Sequence, residues 1–226
     1  MNNILKPNRM LFTPNNMYFT NIINQAFQYV VKTSITYNID ESHSLKHSMQ
    51  TFNFAKEIYN AELIKSPELI NHEDIIYISA ILHDMCDKKY ILNEKLSLFA
   101  LKDFMSPYMP EEKLVVVCDI ITKMSYSKVK QIGYPNLGQY QLAYHIVREA
   151  DLLAAYDPDR CIIYSMMTQN CEYLVAVNRC IELFYNRVLK YISDGLFITD
   201  KGKELSAELH DKALIEIGSL GTFISN

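Results

Sequence analysis

The sequence predicts an all-α fold in a single domain, and three observations carry that expectation. Only six glycines occur in 226 residues, and the turn signals that join strands into hairpins are sparse. Apolar residues recur at three- and four-residue steps along most of the chain, the period of a helix with one buried face. The composition, 49% apolar and 21% charged, belongs to a globular chain with enough apolar mass for a sizeable core.

Residues 16–37 read as a first helix, with Phe19, Ile22, Ile23, Ala26, Phe27 and Val30 on one stripe. "YNIDESHS" breaks it, and a second helix runs over about 44–60 with Phe52, Ala55, Ile58 and Tyr59 facing inward. Pro67 interrupts before a third helix, roughly 72–85, which is nearly all apolar from Ile75 to Leu82. "SLFALKDFM" carries another stripe, and Pro107 and Pro110 punctuate the segment after it. "EEKLVVVCDIITKM" opens with acids suited to a helix N-terminus, although "LVVVCDII" within it also has strand character. Residues 126–139, "YSKVKQIGYPNLGQ", hold two glycines and a proline and read as the one long loop. Helices at about 140–156, 159–169, 172–194 and 200–217 complete the chain, about eight to ten helices in all. No repeat, low-complexity tract or linker divides it. The expected domain is 1–226, with a short N-terminal extension over 1–15.

Charge and cysteine usage narrow the function classes. A formal charge of −4 and a pI near 5.9 argue against broad binding to nucleic acid or to anionic membranes. The five cysteines are odd in number and form no CxxC pair, which fits reduced thiols better than a disulfide framework. No apolar run approaches the roughly 20 residues that span a bilayer, and "MNNILKPNRMLFTPNN" lacks the apolar core of a signal peptide. A cytoplasmic location is expected.

One stretch stands out against this ordinary background. "ILHDMCDKKY" ends an apolar run in His83-Asp84, with Asp87 three residues on. A buried, unpaired carboxylate is costly, so Asp84 needs a partner, a metal or a shifted pKa. Two other helices also put a titratable group on an apolar face. His47 shares its face with Thr51, Phe54 and Ile58, and Asp151 lies beside Val147, Ala150 and Ala154. Each alone has a bland reading as a satisfied core histidine or a paired acid. Together, two imidazoles and two carboxylates from three helices suit a first-row divalent cation with open positions.

The ordered set resembles the H…HD…D signature of the HD-domain metal-dependent phosphohydrolases. "SHSLKH" supplies the upstream His, "LHD" the central pair and "READLLAA" the last Asp. Within that superfamily the chain is similar to a compact subgroup with HDxxDxK, here "HDMCDKK", and with a "SFS"-like segment, here "SYS" at 125–127. The tail "FYNRVLKYISDGLFITDKGKELSAELHDK" is similar as well, so the match covers roughly 25–217. Two positions depart from the subgroup: Met124 stands where a His is frequent, and Ala154 where a second acid is expected.

The resemblance implies a helical HD-domain fold around one metal site. His47, His83, Asp84 and Asp151 are the expected ligands, with Mg, Mn, Fe, Co and Ni all open, and a metal-bound water as nucleophile. Asp87, one turn beyond the HD pair, is expected to handle a proton or orient the water. His43, Lys88, Arg148 and Arg160 are the expected contacts to a substrate phosphate, with Lys89 as a substitute for Lys88. The implied activity is hydrolysis of a phosphomonoester, phosphodiester or pyrophosphate bond in a nucleotide-like small molecule. The alternative is a non-catalytic module that keeps the metal site to bind a nucleotide or signal. An HD-type oxygenase would need two irons and an extra pair of histidines, which the sequence does not supply. Whether copies associate into a homo-oligomer is left open.

Overall fold

The computed structural model describes residues 14–225, and among these every regular element is helical. The ten α-helices are α1 (Pro14–Tyr37), α2 (Leu45–Leu63), α3 (Glu73–Leu82), α4 (Glu94–Met105), α5 (Glu111–Lys123), α6 (Tyr126–Ile132), α7 (Gln141–Ala154), α8 (Pro158–Met167), α9 (Tyr173–Asn186) and α10 (Asp200–Ser225). Short 3₁₀ turns cover Pro67–His72, Gly138–Tyr140 and Val188–Lys190. Most of the expected N-terminal extension lies outside the described residues, and its last two positions already belong to α1.

Two helices are buried nearly all round and organise the rest. Every residue of α3 from Ile75 to Leu82 is buried, as a helix with no solvent face must be. α7 buries all but Gln141, Leu142 and Asp151 of its residues. α3 packs against α1, α2, α5 and α7, α2 lies along α7, and α10 closes over α7 and α9. One apolar cluster runs through all of this, from Ile22 of α1 to Ile217 of α10.

The last helix runs on to Ser225 rather than ending at 217, and three other elements differ from the sequence expectation at a definable local feature. The segment 126–132, expected as loop, forms α6; its seven residues contain no breaker, and Val129 is buried. The helix stops only at Gly133, whose φ of 76° suits a residue without Cβ. The third helix ends at Leu82 rather than 85, and the chain turns through residues 83–86 with Met85 N–H bonded to the Leu82 carbonyl. The helix expected over 172–194 breaks at Arg187, where φ −137° and ψ −64° leave the helical region.

Candidate metal centre and adjoining cavity

Three helices bring the four expected ligands to one point. His47 comes from the first turn of α2, His83 and Asp84 from the turn that closes α3, and Asp151 from the last turn of α7. The two imidazole Nε2 atoms lie 2.9 Å apart. Asp84 Oδ2 is 3.3 Å from each of them, and Asp151 Oδ1 is 3.3 Å from His47 Nε2 and 3.5 Å from His83 Nε2. The His47, His83 and Asp151 ligand atoms all lie within 4.8 Å of one another, and this group could hold a metal ion. Spacings near 3 Å are the edges of a coordination polyhedron with bonds of about 2.1 Å.

The hydrogen bonds around the rings agree with that fit. His83 Nδ1 donates to the Ala80 carbonyl at 2.9 Å, so in the neutral ring Nε2 carries the lone pair that faces the cluster. His47 is 1% exposed and its Nδ1 has no partner. Burial opposes a charge on His83, but the Asp84 and Asp151 carboxylates overcome it and raise the ring to about 10. Burial and then Arg160 hold His47 down. Burial also disfavours both carboxylates, yet the facing imidazoles keep Asp84 and Asp151 well below their ordinary range. Two carboxylates thus hold a proton on His83 at a point where a cation would free its Nε2 lone pair.

The cluster's two carboxylates, Asp84 and Asp151, form part of the wall of a cavity of about 840 Å³, within the size range of small-molecule sites. Asp84, Asp151, Arg160, His43, Asp87, Lys89 and Tyr164 are among the residues that line it. α9 contributes Arg179, Glu182, Leu183 and Asn186, with Arg187 just past its end. A smaller cavity of about 150 Å³ shares Asp84, Asp87 and Asp151 with it and is also lined by His83 and Lys88.

The remaining expected residues divide. Arg160 is at the site: Nη2 is 3.4 Å from Asp84 Oδ2, Nη1 is 3.6 Å from Asp151 Oδ1, and Nε donates to the Ser42 carbonyl at 2.5 Å. Asp87 faces both cavities, with Oδ1 accepting from Lys89 N at 2.8 Å and Oδ2 3.5 Å from Lys89 Nζ. Lys88 points outward, 68% exposed along its side chain and paired with Glu94 at 3.1 Å, and touches only the smaller cavity. Lys89 takes its place in the larger one, because the chain has left the helix and adjacent side chains diverge.

Arg148 is a clear correction. It is 2% exposed and does not line either cavity. Its Nη2 donates to the Leu196 carbonyl at 2.5 Å and lies 3.3 Å from Glu149 Oε1, while the guanidinium sits 4.8 Å from the Tyr134 ring centre. An arginine so enclosed ties α7 to the segment before α10 and cannot reach a substrate.

Two further cations line the larger cavity, Arg179 and Arg187, which lie outside the expected set. Neither has an acidic partner within ion-pair distance among the described residues. Arg187 lies 4.1 Å over the Tyr126 ring and bonds Tyr191 Oη at 3.0 Å. The signal was present: 179, 182, 183, 186 and 187 follow the three-four spacing of one helix face. Of the two departures from the subgroup, Met124 is buried beside the smaller cavity and Ala154 is buried in α7.

No family model matches the chain, and no curated protein or solved structure matches it either. Among the described residues no helix is long and apolar enough to cross a membrane.

Proposed function

We propose that the protein is a metal-dependent phosphohydrolase that cleaves a phosphoester or phosphoanhydride bond in a nucleotide-like small molecule. The observation that carries this reading is the joining of the His47, His83, Asp84 and Asp151 cluster to a cavity lined by Lys89, Arg160, Arg179 and Arg187. All four ligand candidates are taken to hold one divalent ion. Bound there, the ion would supply charge neutralisation at phosphoryl oxygens and would make a water it binds more acidic. The cations of the cavity would hold the substrate's phosphate oxygens, the arginines through planar forks and Lys89 as a point charge. Tyr126, Tyr164 and Tyr191 offer aromatic surface beside them for the rest of a nucleotide. Asp87 carries a carboxylate to the cavity wall without touching a ligand atom at bonding distance, which suits a group that accepts or returns a proton.

A phosphate-release screen over nucleotides and simple phosphoesters, run with Mg, Mn, Fe, Co and Ni in turn, tests the reading. Release is expected with at least one metal. Asp87→Asn should then lower kcat by about 10²–10⁴-fold with metal content unchanged. Tight nucleotide binding with no release under any metal would favour the non-catalytic module instead.

A further inference from the structure

The turn between α1 and α2 contains a hydrogen-bond chain whose direction can be worked out from end to end. Asp40 accepts from Ser42 N at 2.9 Å, Ser42 Oγ at 2.5 Å and Tyr90 Oη at 2.9 Å, and also from Thr168 Oγ1. Burial would raise Asp40, but these bonds outweigh it and hold the carboxyl below its usual range, so it is an ionised acceptor. The hydroxyl protons of Ser42 and Tyr90 are therefore committed to Asp40. Both oxygens also approach His43 Nδ1, at 2.6 Å and 3.0 Å, and can only accept there. His43 Nδ1 must carry the hydrogen. Its Nε2 lies 3.2 Å from Lys89 Nζ, a donor-only ammonium, so Nε2 presents a lone pair.

This changes the role open to His43. A ring with a lone pair toward the cavity cannot donate to a phosphate oxygen. It can hold a cation that does. Lys89 is fixed from three sides: by His43 Nε2, by Asp87 Oδ2 at 3.5 Å and by the Tyr164 ring, whose centre is 5.8 Å from Nζ. The same turn holds the second cation, because the Ser42 carbonyl accepts from Arg160 Nε.

We infer that the Asp40–Ser42–His43 turn is a positioning element that presents Lys89 and Arg160 to an anionic ligand, with His43 acting through Lys89. Orientation fixed in advance spares the ligand the entropy of ordering a lysine side chain. The inference rests on the phosphohydrolase reading of the cavity, and two measurements keep their failures apart.

The first is the tautomer, read by long-range proton–nitrogen correlation on the full chain labelled with ¹⁵N-histidine. His43 is expected in the Nδ1–H form; a protonated Nε2 would overturn the turn's role whatever the protein binds. The second is binding of inorganic phosphate to the metal-loaded protein. His43→Ala should weaken it about threefold to tenfold, the size of one lost hydrogen bond, with His43→Gln restoring part through its side-chain carbonyl. Lys89→Met should weaken it as well, and adding His43→Ala to Lys89→Met should do little more, because the two act as one unit. Equal binding by His43→Ala and wild type, or full additivity in the double variant, would overturn the inference. Wild type that ignores phosphate would count against the phosphohydrolase reading, and the tautomer would then decide the turn's role alone.

Discussion

Helix α7 carries two buried polar clusters within one turn of each other, and they are built on opposite principles. At Arg148 and Glu149 the polar groups satisfy one another. Glu149 is fully buried and accepts from Ile198 N at 2.7 Å and Thr199 Oγ1 at 2.5 Å, while Arg148 binds the Leu196 carbonyl; only Arg148 Nε is left without a partner. At Asp151 the groups confront one another instead. Two Nε2 atoms at 2.9 Å compete for one hydrogen, and two carboxylates face the same nitrogens. Donors matched to acceptors make a clasp, whereas acceptors gathered around a common point make a site that a cation completes.

The largest expected effect comes from opening the clasp. Glu149→Ala leaves Arg148 buried and unpaired and strips Thr199 of its acceptor, so chemical denaturation should show a loss of about 3–5 kcal/mol. The number of metal ions bound per folded chain should not change. A loss below about 1 kcal/mol would mean that the clasp is not what ties α7 to α10.

Gly202 gives a smaller and more local test. A Cβ there would collide with Glu149 Oε2 and lie 2.7 Å from Thr199 Oγ1, so only glycine lets the start of α10 approach the buried acid. Gly202→Ala should lower stability by about 1–3 kcal/mol, as overpacking does. An unchanged melting temperature would show that the clasp yields without loss.

Within the Asp151 cluster the imidazole and the carboxylates respond to pH in opposite senses. Folding raises His83, so in the metal-free protein its contribution is full below about 6.5 and is lost as pH rises toward about 10. Folding lowers Asp84 and Asp151, so theirs is present above about 4 and is lost as pH falls through their depressed values. A metal must displace the His83 proton, and its affinity should rise by about tenfold per pH unit between pH 6 and 9. Titration calorimetry in buffers of different ionisation enthalpy would count the proton released. A pH-independent affinity would contradict a protonated His83.

Sequence pattern showed the all-helical fold and the ligand candidates for the same physical reason. His47, His83 and Asp151 interrupt otherwise apolar faces, and burial makes such interruptions conspicuous. It failed where burial stops discriminating or periodicity ends. Arg148 lies three residues before Asp151 on α7, but that helix is buried almost all round, so shared spacing does not say which neighbour a side chain meets. Lys88 and Lys89 come after the last turn of α3, where no helical period decides which one faces the cavity. The glycines and proline of 126–139 obscured α6, although its seven residues precede the first of them. The polar face of α9 was readable in spacing, but only the folded chain reveals that a cavity lies against it.

A cation is proposed to complete the Asp151 cluster. Thermal unfolding of protein stripped with chelator, then titrated separately with Mg, Mn, Fe, Co and Ni, tests it most directly. At least one ion should stabilise wild type saturably, with about one ion bound per chain and about 2.7 kcal/mol gained at a hundredfold excess over Kd. His83→Ala and Asp151→Asn should remove that gain, while Gly202→Ala should keep it. A wild-type protein that no divalent ion stabilises would contradict the account.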